Sequence, residues 1–425
     1  MSKIEELLKN EKVEWKKLGD VCEILDYKRQ PVTKSKRIFG KYPYYGANGI
    51  QDYIDGFIFN GTFILMGEDG SVINKDSTPI LHWVENSKIW VNNHAHVLGE
   101  LASKYILKYI YYYLTTVDVS SIVKGTPPKI NQGNMKNIQI PIPSIETQEK
   151  IVKILDKFTN YVTELQAELQ ARTKQYEYYR NLLLSEEYLN KLSDNPEILG
   201  GGRYRVKSTT LGEIGLFTRG NGLQKKDFIS KGNPVIHYGQ IYTKYNFETD
   251  KVFSFVDDVV FAKLKKAKCN DILIATTSEN IEDVGKSVVW LGSEEIGFSG
   301  DMYSYSTTEN SKYIAYYFQT TEFQKQKEKK VTGTKLIRIH GDDIAKFSIS
   351  LPPIEIQNKV VEILDKFQSL LSDTKGLLPR EIEQRQKQYE YYREKLLTFE
   401  IGSKTIFRQT DRQTDRQTDR QTDRQ

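Results

Sequence analysis

The stretch DYKRQPVTKSKR, Asp26 to Arg37, places five cations (Lys28, Arg29, Lys34, Lys36 and Arg37) beside Tyr27 and Gln30. Guanidinium and ammonium groups neutralise phosphates and amide side chains pair with base edges, so this mixture suits contact with a nucleic acid. Further on, YYGANG sets Tyr45 and Asn48 among glycines, which let a backbone approach a partner closely. KGTPPK adds Lys124, Thr126 and Lys129. The second half of the chain repeats the theme in the same order. TRGNGLQKK contributes Arg219, Asn221, Lys225 and Lys226; HYGQI contributes His237, Tyr238 and Gln240. KKVTGTKLIR contributes Lys330, Thr332, Thr334, Lys335 and Arg338. Any one of these residues reads equally well as part of a solvated turn. It is the recurrence at three matching places in both halves that makes them a collective set of contacts.

Other chemistry lacks its residues. No N/D-P-P-Y/F motif of a methyltransferase, no GxxxxGK[ST] phosphate loop and no zinc-ligand cluster is present. His94 and His96 form an HxH pair expected on one face of a strand. With no third ligand in view, a structural or DNA-facing role is preferred and no metal site is assigned. Cys22 and Cys269 have neither disulfide nor metal spacing and read as small buried hydrophobes. The acidic residues form no nuclease-like arrangement, and the chain reads as non-catalytic. Its net charge of +5 is only mildly basic. No apolar run approaches the ~20 residues that span a bilayer. The N-terminus, MSKIEELLKNEK, lacks the apolar region of a signal peptide, so no membrane association and a cytoplasmic location are expected.

What must position these stretches is a duplication. KQYEYYR occurs at Lys174 to Arg180 and again at Lys387 to Arg393; ILDKF occurs at Ile154 to Phe158 and at Ile363 to Phe367. Each copy follows a proline pair, Pro141 and Pro143 or Pro352 and Pro353. Weaker pairs keep the same order: LGD at Leu18 with LGE at Leu211, FILM at Phe63 with DILI at Asp271, and SKYI at Ser103 with SKYI at Ser311. WVNNHAHVL, GTFILMG, DILIAT and SVVWLG read as strands; YILKYIYYYLTT and YIAYYFQTTEFQKQK read as helices. Two mixed α/β domains of common origin follow, α+β in class, each succeeded by a long helix.

The helices carry apolar residues at alternating steps of three and four, a coiled-coil seam. In the first copy it includes Leu155, Phe158, Arg172, Tyr176 and Tyr179; in the second, Leu364, Phe367, Arg385, Tyr389 and Tyr392. Each helix is roughly 40 residues, or ~60 Å long. The simplest partner for one is the other, packed antiparallel with the globular domains at opposite ends. Arg172 and Arg385 take equivalent seam positions, where a polar layer would fix register. The second copy is longer by four residues around Gly376 and Pro379, a stutter at which a kink or interruption is expected. The expected boundaries are a first domain over 1–143, helix over 144–192, a linker with Gly200 to Gly202 over 193–208, a second domain over 209–350, helix over 351–400 and a disordered tail over 401–425. The tail repeats TDRQ. A tandem GACA tract encodes that cycle in every frame, so replication slippage would vary the product; mixed synonymous codons in the gene would rule this out.

This layout resembles the specificity subunit of type I restriction-modification enzymes over residues 11 to 400. The resemblance rests on the ILDKF segment and the QYEYYR end, each present twice, and on the PxPxxxxQ lead, complete at Pro141 to Gln148 and shortened to PxxxxQ at Pro352 to Gln357. It implies two target-recognition domains, each reading one half of a bipartite, asymmetric site in double-stranded DNA. It also implies that the paired helices set half-site spacing and dock two methyltransferase subunits, with motor-nuclease subunits joining for restriction. No cofactor is then expected in this chain; S-adenosylmethionine belongs to the methyltransferase partner, ATP and Mg to the motor-nuclease partner. The variable-domain positions here carry no family-wide contact motif, so the contact residues above rest on their chemistry alone. The alternative is a non-catalytic coiled-coil scaffold whose end domains bind protein or glycan. Only DNA binding predicts a steep salt dependence.

Overall fold

The structure, a computed structural model, describes residue 8, residues 11 to 194 and residues 204 to 399. The triglycine connection and the TDRQ tail lie outside the described residues, as does the side chain of Thr374 in the second helix. The chain forms two compact units, Met1–Leu165 with Arg380–Gln425, and Gln166–Pro379.

In the first unit the strands are β1 (Glu14–Lys17), β2 (Cys22–Ile24), β3 (Phe39–Gly46), β4 (Gly49–Ile54), β5 (Phe59–Gly67), β6 (Leu81–Val91), β7 (Ala95–Glu100) and β8 (Gln139–Ile142). β1 pairs antiparallel with β8, and the other six form a sheet in the order β2-β7-β5-β6-β3-β4. FILM is apolar throughout because both faces of β5 are covered. Ile64 and Met66 enter the core that also holds helix α1 (Leu107–Leu114), while Phe63 and Leu65 enter a separate cluster on the opposite face. Alternating side chains of one strand thus close two cores. The second unit repeats the device: Ile272 and Ile274 of strand Ile272–Ala275 face one cluster, Leu273 and Ala275 another. That strand is central in a five-stranded sheet whose spatial order is Gly215–Arg219, Met302–Thr307, Ile272–Ala275, Ser287–Trp290 and Glu248–Thr249.

The long helices are α2 (Ile145–Leu183) and, after helix α3 (Ser311–Tyr317), α4 (Ile354–Leu397). Within each unit they run antiparallel. In the first, the Phe158 ring stacks on Tyr392 at 5.1 Å and Tyr161 donates to Glu381 at 3.0 Å, so rising numbers on α2 meet falling numbers on α4. In the second, Tyr179 stacks on Phe367 at 5.3 Å, and Leu183 shares a cluster with Val360 and Leu364. Leu155, Tyr176, Leu364 and Tyr389 are buried in these seams. Each unit therefore packs the start of its own helix and the end of the other copy's helix against one globular core.

Several expectations are corrected. α4 runs through Pro379 without interruption: the proline removes one backbone donor at an exposed position, and the turns around it remain helical. Arg172 is exposed and pairs with Glu168 of its own helix at 2.6 Å instead of entering the seam. A carboxylate one turn away is reached without desolvating the guanidinium. Arg385 likewise reaches Glu381 of its own helix at 3.4 Å, with its guanidinium 5.1 Å from the Tyr161 ring. WVNNHAHVL is two strands joined by a turn at Asn93 and His94. The second helical stretch breaks in two, since Thr320 caps a new helix by accepting the Phe323 N–H. Cys22 is buried but Cys269 is exposed, in a turn completed by Asn270 at φ 68°.

The SKYI alignment also shifts by one helical turn. Lys108, Tyr109 and Tyr112 of α1 make the contacts that Lys312, Tyr313 and Tyr316 of α3 make, so Ser311 corresponds to Leu107. Tyr109 donates to the Pro141 carbonyl at 2.7 Å and Tyr313 to that of Ser350 at 3.0 Å. Tyr112 donates to Asp156 at 2.5 Å and Tyr316 to Asp365 at 2.7 Å. Those aspartates are the central residues of the two ILDKF segments. Behind them sit the buried Gln148 and Gln357. Each donates to a proline carbonyl (Pro143 at 3.0 Å, Pro352 at 2.8 Å) and accepts the N–H that precedes the domain helix (Ile106 and Asn310, both 3.0 Å).

Candidate nucleic-acid interface

In the first unit the three basic stretches meet at one short segment, Glu68 to Ser71. Arg29 Nη1 lies 2.5 Å from Glu68 and Lys129 Nζ 3.0 Å from the same carboxylate. The Gly70 N–H donates to the Pro128 carbonyl at 3.0 Å, and Asn48 Nδ2 donates to Ser71 Oγ at 3.0 Å. The second unit gathers its three stretches around Ser299 to Met302. Gly220 N–H donates to Met302 O at 3.0 Å and Tyr238 N–H to Ser299 Oγ at 3.0 Å. Thr277, hydrogen-bonded to Asp301 at 3.3 Å, pairs across a two-stranded ladder with Arg338. A Cβ at Gly220 would lie 2.1 Å from the Ser299 carbonyl, so only glycine permits that approach.

Several of the proposed contact residues are engaged inside the fold. Arg29 spans Glu68, Asp26 and the Ala95 carbonyl with a side chain 13% exposed. Arg37 pairs with Asp52 at 3.2 Å, donates to Val32 O and lies 4.2 Å over the Tyr44 ring. Asn221 clamps a loop, donating to Lys263 O at 2.7 Å and accepting from Lys265 N at 2.8 Å. His237 and Gln240 are buried and form a reciprocal helix cap, in which Gln240 also donates to Ser254 Oγ at 2.7 Å. Burial, reinforced by Lys225, holds the His237 imidazole below its ordinary pKa, with Asp301 opposing. The polar groups of His237 and Gln240 are thus committed to the fold.

Tyr27, Lys28, Gln30, Lys34, Lys36, Asn48, Lys124, Thr126 and Lys129 remain exposed in the first unit. So do Arg219, Asn221, Lys225, Lys226, Lys330, Thr332, Thr334, Lys335 and Arg338 in the second; Tyr45 and Tyr238 are half-buried. Lys41 and Lys88, which the motif reading passed over, are also exposed on the first unit. They lie in strands, where a lone lysine among apolar residues gives no local signal.

The histidines separate. His94, in its turn, contacts Asp69, whereas His96 is fully buried, with Nδ1 2.6 Å from Asp26 and Nε2 2.8 Å from the Ile130 carbonyl. Asp26, Glu68 and His96 bring three potential ligand atoms within 4.8 Å of one another. Arg29 and Lys129 already neutralise that pair of carboxylates, so a divalent ion would meet two fixed cations there. Burial raises the Asp26 carboxyl, but hydrogen bonds from His96, Gln132 and Val97 outweigh it and hold the group below the ordinary carboxylate range. The cluster ties the first basic stretch to the third.

The same two-part plan appears in known proteins. The family model for the type I restriction modification DNA specificity domain matches twice, over residues 10–175 and 205–384. The chain belongs to the type I restriction-modification DNA specificity family. A putative type I restriction enzyme specificity subunit of Haemophilus influenzae is 32% identical over 93% of this chain and 98% of its own length. The EcoR124I/EcoR124II specificity subunit of Escherichia coli is 31% identical over 94% of this chain and 97% of its own. In fold, the chain is similar to the crystal structure of a type I restriction-modification S subunit from M. genitalium, with a TM-score of 0.52 and 16% identity over 92% of this chain and 98% of that one. The repeat in this chain extends to individual contacts, those of Gln148 and Gln357. No helix among the described residues is long and apolar enough to cross a membrane.

Proposed function

We propose that this chain is the non-catalytic DNA-recognition subunit of a type I restriction-modification complex. Each unit reads one half of a bipartite, asymmetric site through its exposed basic stretches, and the paired helices dock two copies of a methyltransferase subunit. The family match over both halves supports the recognition role. The observation that carries the pairing is the pattern of exposure in KQYEYYR. Buried Tyr176 and Tyr389 are accounted for by packing, but Lys174, Gln175, Glu177 and Tyr178 are exposed, as are Lys387, Gln388, Glu390 and Tyr391. Internal packing places no demand on exposed residues. Their identity in both copies is what two identical partners, each reading the same surface, would require.

Co-expression with the cognate methyltransferase subunit, followed by genome-wide mapping of methylated adenine, tests this. A split, asymmetric motif is expected, and replacing residues of one domain with those of a relative should change one half of it. A well-folded complex that methylates nothing and binds DNA without salt dependence would instead favour the scaffold reading.

A further inference from the structure

Five large apolar side chains between positions 38 and 57 of the first unit are exposed: Ile38 (72%), Phe39 (84%), Ile50, Tyr53 and Phe57. They lie on and beside the β3–β4 hairpin, where β4 is one of the two edge strands of the six-stranded sheet. An exposed apolar group of this size normally marks an interaction surface. Phe39 is also held rigidly. On one side Arg37 is fixed by Asp52, Val32 O and the Tyr44 ring. On the other, the β3–β4 register slips between Phe39 and Tyr42, and a Cβ at Gly40 would lie 2.4 Å from the Asp55 backbone nitrogen. Asp55 N–H donates to the Ile38 carbonyl at 2.9 Å. The backbone of the pair is thereby pinned while both side chains point away from the core.

The charges around it select the occupant. Exposed Lys34, Lys36 and Lys41 flank the pair in sequence, and Lys88 Nζ lies 4.8 Å from the Phe57 ring. Asp52 is neutralised by Arg37, leaving Asp55 as the nearby acid in the hairpin. An exposed apolar pair flanked in sequence by cations is complementary to a duplex, whose phosphates meet the lysines while the ring enters between bases.

We propose that Phe39, supported by Ile38, is a wedge that unstacks a base step in the half-site bound by the first unit and bends the DNA there. This rests on the DNA-recognition reading and adds to it a shape-dependent component of specificity, favouring pyrimidine–purine steps that unstack readily. Among the described residues of the second unit no large apolar side chain is as exposed as Phe39, so the two half-sites are read differently.

The test uses the full chain in complex with its methyltransferase subunits and duplexes carrying the mapped motif. 2-Aminopurine is substituted at successive positions of the first half-site, with fluorophores at the duplex ends to report bending. Wild type is expected to brighten 2-aminopurine at one step several-fold and to shorten the end-to-end distance. F39A should abolish both changes, and F39L should restore them in part. F39A should keep the melting temperature and the salt slope of binding, since the side chain is exposed and uncharged. Binding and bending that persist unchanged in F39A would overturn the wedge alone. No salt-dependent binding by wild type would overturn the recognition reading with it. A free chain that is dimeric as wild type and monomeric as F39A would assign the patch to self-association and also overturn the proposal.

Discussion

Lys327 shows how a single buried cation can shape a loop without touching a ligand. The residue is 1% exposed and its ammonium donates to the carbonyls of Glu282 at 2.9 Å and Val284 at 2.8 Å, anchoring the start of the basic stretch that follows it. Burial pushes its pKa down to about 8, against the pull of Glu282 and Asp283. Unfolded, the group keeps its proton up to its ordinary value of 10.5. Between those values the unfolded chain binds more protons than the folded one, so stability rises with pH across that window, by at most about 1.4 kcal/mol per pH unit. Urea midpoints between pH 7.5 and 9.5 should therefore climb for wild type relative to K327M. Parallel profiles for the two proteins would show that Lys327 titrates normally in the folded state.

At the scale of elements, the recurrent device is the junction between each globular domain and its long helix. Gln148 and Gln357 serve as two-sided clamps, and the ILDKF aspartates receive the tyrosine hydroxyls of α1 and α3. The copies differ in strength. Asp365 also takes Lys312 at 2.5 Å, whereas Lys108 stands 3.9 Å from Asp156. A close charge-assisted bond contributes more than a distant, partly screened pair. D365N should therefore destabilise the chain by about 1.5–3 kcal/mol and D156N by about 1. Chemical denaturation of the two variants beside wild type would check the order, and a larger loss for D156N would contradict it. The clamps also explain why the proline pair and the glutamine recur together: the carbonyl of Pro143 or Pro352 is the acceptor the amide needs.

For the whole molecule, duplication supplies two equivalent surfaces in one chain. If the exposed residues of KQYEYYR are those surfaces, each copy should act separately. Y178A is expected to release one methyltransferase subunit from the complex, Y391A the other, and the double variant both, as read by native mass spectrometry. Rings 62% and 57% exposed can be truncated without opening a core, so folding should be retained. Full stoichiometry in the double variant would move the docking surface elsewhere. A variant that loses both subunits through one substitution would mean that the two sites are coupled.

The duplicated plan, the two long helices, their antiparallel seam and the family were legible in the sequence, because repetition and heptad spacing are properties of order along the chain. The runs GTFILMG and DILIAT likewise read as strands, but that both faces of each are covered emerged only from the fold. Which cations are available to a ligand was decided by tertiary structure. Arg29 and Lys28 are adjacent and alike in charge, yet one is committed to Glu68 and Asp26, residues brought to it by β5 and the turn before β3. Gln240 and Asn221 carried the right amide for a base edge but are used to cap a helix and hold a loop. A residue's type fixes what it can bond. Only the fold, by deciding which carboxylates and carbonyls arrive within 3 Å, determines whether that capacity is already used. The exposure of Phe39 belongs to the same class: a phenylalanine reads as core in any sequence pattern, and only a bulge locked at Gly40 turns it outward.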